Sequence, residues 1–256
     1  EGAVAIPSRN LLVTANEADL VEDGGVRAHV MIYEYAEGDA KYPTLTSEGA
    51  DEMIGWGAIS GMVAGDDGMV YAVNDSFYGY QPTIFTIDPS STPAKIVAAP
   101  PVPRAGMPAQ KLDLEGITTD GEGGFWVASE GRSDRVIPHA IYHVNAKGEI
   151  KDEIGLPAAL LAGETRFGFE GVTMIDGTLW MAVQREWGND PAGHVKLISY
   201  NLESEEWGAV HYPIATAETG WVGLSDIVAH GDQVYVVERD NQIGDAAKIK
   251  KIYSVP

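Results

Sequence analysis

Five short segments of this 256-residue chain share a pattern that could do chemistry. Glu1-Gly-Ala-Val, Ser60-Gly-Met-Val, Glu115-Gly-Ile-Thr, Glu170-Gly-Val-Thr and Ser225-Asp-Ile-Val each open an apolar run with a polar pair. Counted from Glu1, Ser60, Glu115, Glu170 and Asp226, the intervals are 59, 55, 55 and 56 residues. Positions of equal phase in a repeat fold face the same place, so Glu115, Glu170 and Asp226 are candidates for one shared site. Carboxylates aimed at one small volume repel one another unless protonated or bridged by a cation. A hard divalent ion with oxygen ligands meets that need, and Ca²⁺ tolerates irregular geometry better than Mg²⁺. Capping of turns beside the following glycine is the other role open to these acids.

A second recurring cluster closes the next apolar run: Asn16-Glu17, Asn74-Asp75, Glu130-Gly131-Arg132, Arg185-Glu186 and Glu238-Arg239-Asp240-Asn241. Neighbours on a strand alternate faces, so about half of these reach one site. Asn74 and Asp75 join the candidate metal ligands, and Glu130 and Glu238 are candidate acid–base groups. Arg132, Arg185 and Arg239 can offer bidentate forks to an anionic substrate. Arg–acid pairs knitting neighbouring repeats together are an equally open role for Arg185 and Arg239. Among His29, His139, His143, His194, His211 and His230, none pairs at a metal-binding helical spacing. His139, following Arg132 and Arg135, is the one further candidate acid–base residue. No serine triad is evident, so the expected nucleophile is a metal-activated water. Asn74-Asp75-Ser76 fits a glycosylation acceptor pattern, which is too common to carry weight.

The elements that must position these residues are strands. Leu11 to Ala15, Met69 to Val73, Phe125 to Ala128, Leu179 to Val183 and Val234 to Val237 follow Gly- and Asp-rich turns such as Asp120-Gly-Glu-Gly-Gly and Asp176-Gly. Such β-branched and aromatic runs bounded by Gly and Asp are hairpin chemistry. A third strand follows in most repeats (Thr83 to Ile87, Ala140 to Val144, Lys196 to Tyr200), and a polar turn returns a weaker fourth. Four antiparallel strands per unit of about 55 residues predict an all-β fold of β-propeller blades. Five repeats are visible, and a sixth is expected in the intact domain. The tryptophans, several at strand positions, are assigned to packing between blades. Helix is confined to Pro157 to Gly163, and Ala98 to Met107 is read as a loop between blades. Residues 1–51 are a first blade-like repeat or the end of a preceding propeller, and residues 52–256 form the main propeller, incomplete at its C-terminus.

Acids outnumber bases 38 to 17, for a net charge of −21. That balance argues against nucleic acid and anionic membranes, which call for a basic patch. It suits a protein that gathers cations. No apolar run nears the roughly 18 residues of a membrane span. The start, Glu1 to Pro7, has neither the basic nor the apolar part of a signal peptide, which suggests a processed or excerpted chain. Cysteine is absent, which excludes disulfides, thiolate-held zinc and a cysteine nucleophile.

Asp113-Leu-Glu-Gly-Ile-Thr, Phe125-Trp-Val-Ala-Ser-Glu-Gly, Phe169-Glu-Gly-Val-Thr, Gly223-Leu-Ser-Asp-Ile and Val237-Glu-Arg-Asp together resemble the bacterial "esterase-like activity of phytase" family. The resemblance runs from about Ile59 to Val255. It implies an exported hydrolase of phosphoesters or esters; with the clustered acids above, the expectation is a secreted or periplasmic, calcium-dependent enzyme acting on a small anionic or ester substrate, and the charge and hydropathy add no nucleic acid and no membrane insertion. It also implies a flanking propeller in the same polypeptide. A metal-dependent lactonase of the gluconolactonase type, using Glu115, Asn74 and Asp226, is the first rival reading. A non-catalytic, calcium-stabilised binding module is the second.

Overall fold

The computed structural model describes residues 2–9, 11–15, 30–34, 44–75, 81–164 and 166–255. The chain divides into two units, Glu1–Pro43 and Thr44–Pro256. In the first, β1 (Gly2–Ile6), β2 (Leu11–Ala15) and β3 (Val30–Glu34) form an antiparallel sheet in that order. Glu1, Asn16, Glu17 and His29 lie outside the described residues.

The second unit opens with β4 (Leu45–Thr46), which pairs parallel to the outer strand of the first blade. Residues 44–51 therefore belong with the second unit and not with the first repeat. That blade is β5 (Ile59–Ala64), β6 (Val70–Asn74), β7 (Ile84–Asp88) and β8 (Ala94–Ala98). The stretch expected as a plain loop contains a small hairpin, β9 (Pro103–Arg104) with β10 (Met107–Pro108). The second blade is β11 (Leu114–Thr119), β12 (Phe125–Ser129), β13 (Ala140–Val144) and β14 (Ile150–Gly155). A short helix, α1 (Ala158–Leu161), leads to the third: β15 (Phe169–Ile175), β16 (Thr178–Val183), β17 (His194–Asn201) and β18 (Trp207–Pro213). The fourth has three strands, β19 (Val222–His230), β20 (Gln233–Asp240) and β21 (Lys250–Val255). Every blade is antiparallel in chain order, as hairpin turns require. The fold is an all-β propeller.

The apolar cores lie between blades. Val73 and Ile84 of the first blade pack with Leu114, Val127 and Tyr142 of the second. Trp126 and Ile141 of the second pack with Phe169, Met181 and Ile198 of the third. Ala182 and Val195 of the third meet Leu224, Ile227 and Val236 of the fourth. Each inner blade thus buries both faces, which explains strands such as β12 in which all five residues are buried. Trp126 and Trp187 sit in these seams as expected, whereas Trp56 is partly exposed.

Innermost strands β5, β11, β15 and β19 lie side by side in that order. The glycine of each repeat motif makes this possible. A Cβ on Gly116 would stand 2.7 Å from the backbone of Gly171, and one on Gly171 would stand 2.6 Å from the amide of Ile227. Only glycine lets two backbones approach so closely. The motif's glycine therefore serves blade contact.

Candidate functional site

Each innermost strand carries an irregularity of register at the motif: between Ile59 and Met62, Leu114 and Gly116, Phe169 and Gly171, and Leu224 and Asp226. A bulge re-aims the extra residue. Here the residues re-aimed are Ser60, Glu115, Glu170 and Ser225, spaced at 55 residues throughout, and all four line one cavity. One residue past the partners of Ile59, Leu114, Phe169 and Leu224 comes a second equivalent set, Asp75, Glu130, Gln184 and Arg239, which lines the same cavity. Two positions of the repeat, used four times each, build a volume of about 490 Å³.

Asp75, Glu115 and the neighbouring Asp113 bring carboxylate oxygens within 4.8 Å of one another. Ser60 donates its hydroxyl hydrogen bond to Glu115 Oε2, and Gln184 Nε2 donates to Glu170 Oε1. Gln184 Oε1 is buried, with no hydrogen-bond partner among the described residues. Burial, and next the charge of Glu170, pushes Glu115 far above the usual carboxylate range. Burial and the charge of Glu130 push Glu170 up as well, with Arg239 opposing. Glu130 is raised to about 7, first by burial and then by Asp113, with Arg166 opposing. Oxygen donors of this kind, held together against repulsion, fit a hard cation such as Ca²⁺.

The opposite wall is cationic and aromatic. Arg166 and Arg185 each lie 4.4 Å from the centre of the Phe167 ring, and Arg185 and Arg239 lie 4.5 and 4.9 Å from that of Trp221. Arg239 Nε donates to Ser225 Oγ at 2.8 Å. Among the described residues none of the three guanidiniums has a carboxylate within ion-pair distance, although the chain carries 38 acids. Stacked guanidiniums keep their N–H edges for an anion. Arg166 and Phe167 have φ of 118° and 62°, a left-handed backbone that ordinary residues adopt only when their surroundings hold it.

The structure thus brings together Asp75, Glu115, Glu130, Glu170 and Arg239, with Arg185 stacked at the edge. The other sequence candidates stand elsewhere. Asp226 occupies the glycine position of its repeat; its Oδ1 accepts from the amide of Ile227, and the equivalent of Glu115 is Ser225. Burial raises Asp226 to about 7, but it does not line the cavity. Asn74 is one residue out of phase: its Oδ1 accepts from Thr83 N and its Nδ2 donates to Gln81 O. Glu238 is out of phase by the same step and is buried, with Oε1 accepting from Ala215 N. Of the lactonase set, Glu115 lines the cavity and Asn74 and Asp226 do not. Arg132 pairs with Asp134 at 2.9 Å outside the cavity. His139 is buried against Glu164 and not open to a substrate.

Asp113, Arg166, Phe167, Gln184 and Trp221 escaped the sequence reading. Gln184 and Asp113 had a usable signal, the constant repeat phase of one and the proximity of the other to the Glu115 motif. Arg166 and Phe167 lie in an irregular segment and had none. A second cavity, about 710 Å³, is walled by residues 50–55 and 97–101 and offers only Asp51 and Glu52 as ionisable groups.

No curated protein matches the sequence. Among solved structures, the chain is similar to an exo-β-1,3-galactanase from Phanerochaete chrysosporium at 10% identity and a TM-score of 0.48, over 100% of this chain and 60% of that one. It is similar to a GH43_1 enzyme from Xanthomonas citri at 14% identity and a TM-score of 0.39, covering 75% of this chain and 63% of the other. An α-L-arabinofuranosidase from Clostridium thermocellum matches at 10% identity and 0.44, over 99% and 92%. The chain spans about 60% of the length of the galactanase. Residues 54–256 match the phytase-like family described as "Esterase-like activity of phytase", which covers all four blades and both walls of the cavity; the chain belongs to that family.

Proposed function

We propose that the cavity is the active site of a calcium-dependent hydrolase acting on small anionic phosphoesters or esters. The observation that carries this reading is the division of one cavity into a carboxylate pole and a guanidinium pole. Asp75, Asp113 and Glu115 would hold the ion. When bound, Ca²⁺ would supply positive charge against a phosphoryl or carbonyl oxygen and favour ionised water. Arg166, Arg185 and Arg239 orient the anionic group of the substrate, and their guanidiniums lie over the Phe167 and Trp221 rings. Glu130, raised to about 7, stands between the poles and can take or give a proton near neutrality. Glu170 is held by Gln184 and keeps a second carboxyl beside it.

Export to the periplasm or exterior belongs to the same proposal, as does a flanking propeller. Among the described residues no helix is long and apolar enough to cross a membrane. The test is turnover of p-nitrophenyl phosphate and p-nitrophenyl acetate with added Ca²⁺ and with chelator. Chelation, or Glu115→Gln, is expected to lower turnover at least about tenfold. Turnover indifferent to both would remove the metal from the mechanism. No turnover of either ester by the calcium-loaded protein would favour the binding-module reading instead.

A further inference from the structure

His139, Glu164 and Ser133 form a chain of side-chain contacts that the proposed chemistry does not use. His139 Nε2 lies 2.9 Å from Glu164 Oε1, and Ser133 Oγ donates to Glu164 Oε2 at 2.8 Å. All three come from the second blade or its connection to the third, and they meet just before Arg166 and Phe167. On the far side, Trp187 Nε1 donates to the carbonyls of Arg166 and Phe167 at 3.1 and 3.3 Å. The His139 ring meets the Trp187 ring edge-on, with centres 5.5 Å apart. Gly168 closes the bracket, since a Cβ there would collide with His139 Nδ1 and the carbonyl of Glu130. Gly188 N donates to Gly163 O at 2.7 Å, tying the incoming chain to the loop after β16.

Two consecutive left-handed residues need such an over-determined frame. We infer that His139, Glu164 and Ser133, with Trp187, are positioning residues that hold Arg166 and Phe167 in their unusual backbone so that the guanidinium wall is formed before substrate arrives. The inference rests on the reading of that wall as the anion-binding side. It changes the role of His139 from proton transfer to support. It also makes recognition of the anion depend on the seam between the second and third blades, and not on the inner strands alone. Preorganisation of this kind lowers the cost of binding, so its loss appears in KM.

The experiment compares wild type, Glu164→Ala and Glu164→Gln in two assays. Trypsin cleavage after Arg166, located by mass spectrometry, reports the turn directly and needs no activity. Glu164→Ala is expected to be cut there about tenfold faster, with Glu164→Gln restored toward wild type because its amide can still bridge His139 and Ser133. In the second assay, KM for p-nitrophenyl phosphate is expected to rise about tenfold in Glu164→Ala with kcat within about twofold, while KM for neutral p-nitrophenyl acetate stays unchanged. Cleavage of Glu164→Ala at the wild-type rate would overturn the bracket. Faster cleavage with an unchanged KM for the phosphate ester would uphold the bracket and overturn Arg166 as a substrate contact, so the two readings fail separately.

Discussion

At the residue scale the cavity stores electrostatic repulsion. Glu115, Glu130 and Glu170 are all raised by burial, and further by one another or by Asp113. In the unfolded chain they titrate near the ordinary value of about 4.3. From that pH up to the folded values, the native state therefore binds more protons than the unfolded state. The free energy of unfolding falls as pH rises through this window, by about 1.4 kcal/mol for each unit of elevation traversed. Metal-free protein is expected to melt at a higher temperature at pH 5.5 than at pH 8, and Glu115→Gln should flatten the difference. Thermal unfolding in chelator at the two pH values checks this; a higher melting temperature at pH 8 would contradict it. Glu115→Gln removes one acid of 38, so a large effect cannot come from overall charge alone.

At the scale of elements, the propeller depends on the close approach of its innermost strands. Gly171→Ala would set a Cβ 2.5 Å from Asp226 Oδ1 and 2.6 Å from Ile227 N, where backbone must shift. Overpacking of this kind costs about 1–3 kcal/mol. Gly155→Ala, with nothing within 4 Å, is the control and should stay within about 0.5 kcal/mol of wild type. Urea unfolding of the two variants gives the comparison; equal stabilities would mean that the blades slide apart freely. The same geometry explains why Ser225 lines the cavity and Asp226 does not. Ser225-Asp226 resembles the Glu-Gly pairs shifted by one residue, and in a strand a shift of one turns the side chain away. Asn74 and Glu238 stay out of the lining for the same reason, while their neighbours Asp75 and Arg239 reach the cavity.

For the whole molecule, the charge of −21 has two parts that respond differently to ions. Surface acids are screened by any salt, with a Debye length of about 10 Å at 0.1 M. The cluster of Asp75, Asp113 and Glu115 is mostly buried and is screened far less. Millimolar Ca²⁺ is therefore expected to raise the melting temperature more than NaCl of equal ionic strength, and to saturate. At one hundred times Kd the gain would be about 2.7 kcal/mol. Asp113→Asn should abolish that difference while leaving the response to NaCl. Calorimetric scans with the two salts decide it, and identical responses would reduce the cluster to ordinary surface charge.

The sequence alone determined the blades and the strands that line the cavity. Repeat spacing, Gly-Asp turns and β-branched runs are local signals, and hairpins form between neighbours in the chain. It also placed Glu115, Glu170, Asp75, Glu130 and Arg239, because a constant repeat phase becomes a constant direction once the blades stand side by side. Tertiary structure alone decided which member of each polar pair faces inward, since a bulge resets strand alternation and leaves no mark in composition. It alone joined Arg166 and Phe167 to Arg185, Trp221 and Arg239, which approach from the loop after β16, the segment before β19 and strand β20. And it buried His139 against Glu164, because burial is a property of what packs around a residue and not of its neighbours in the chain.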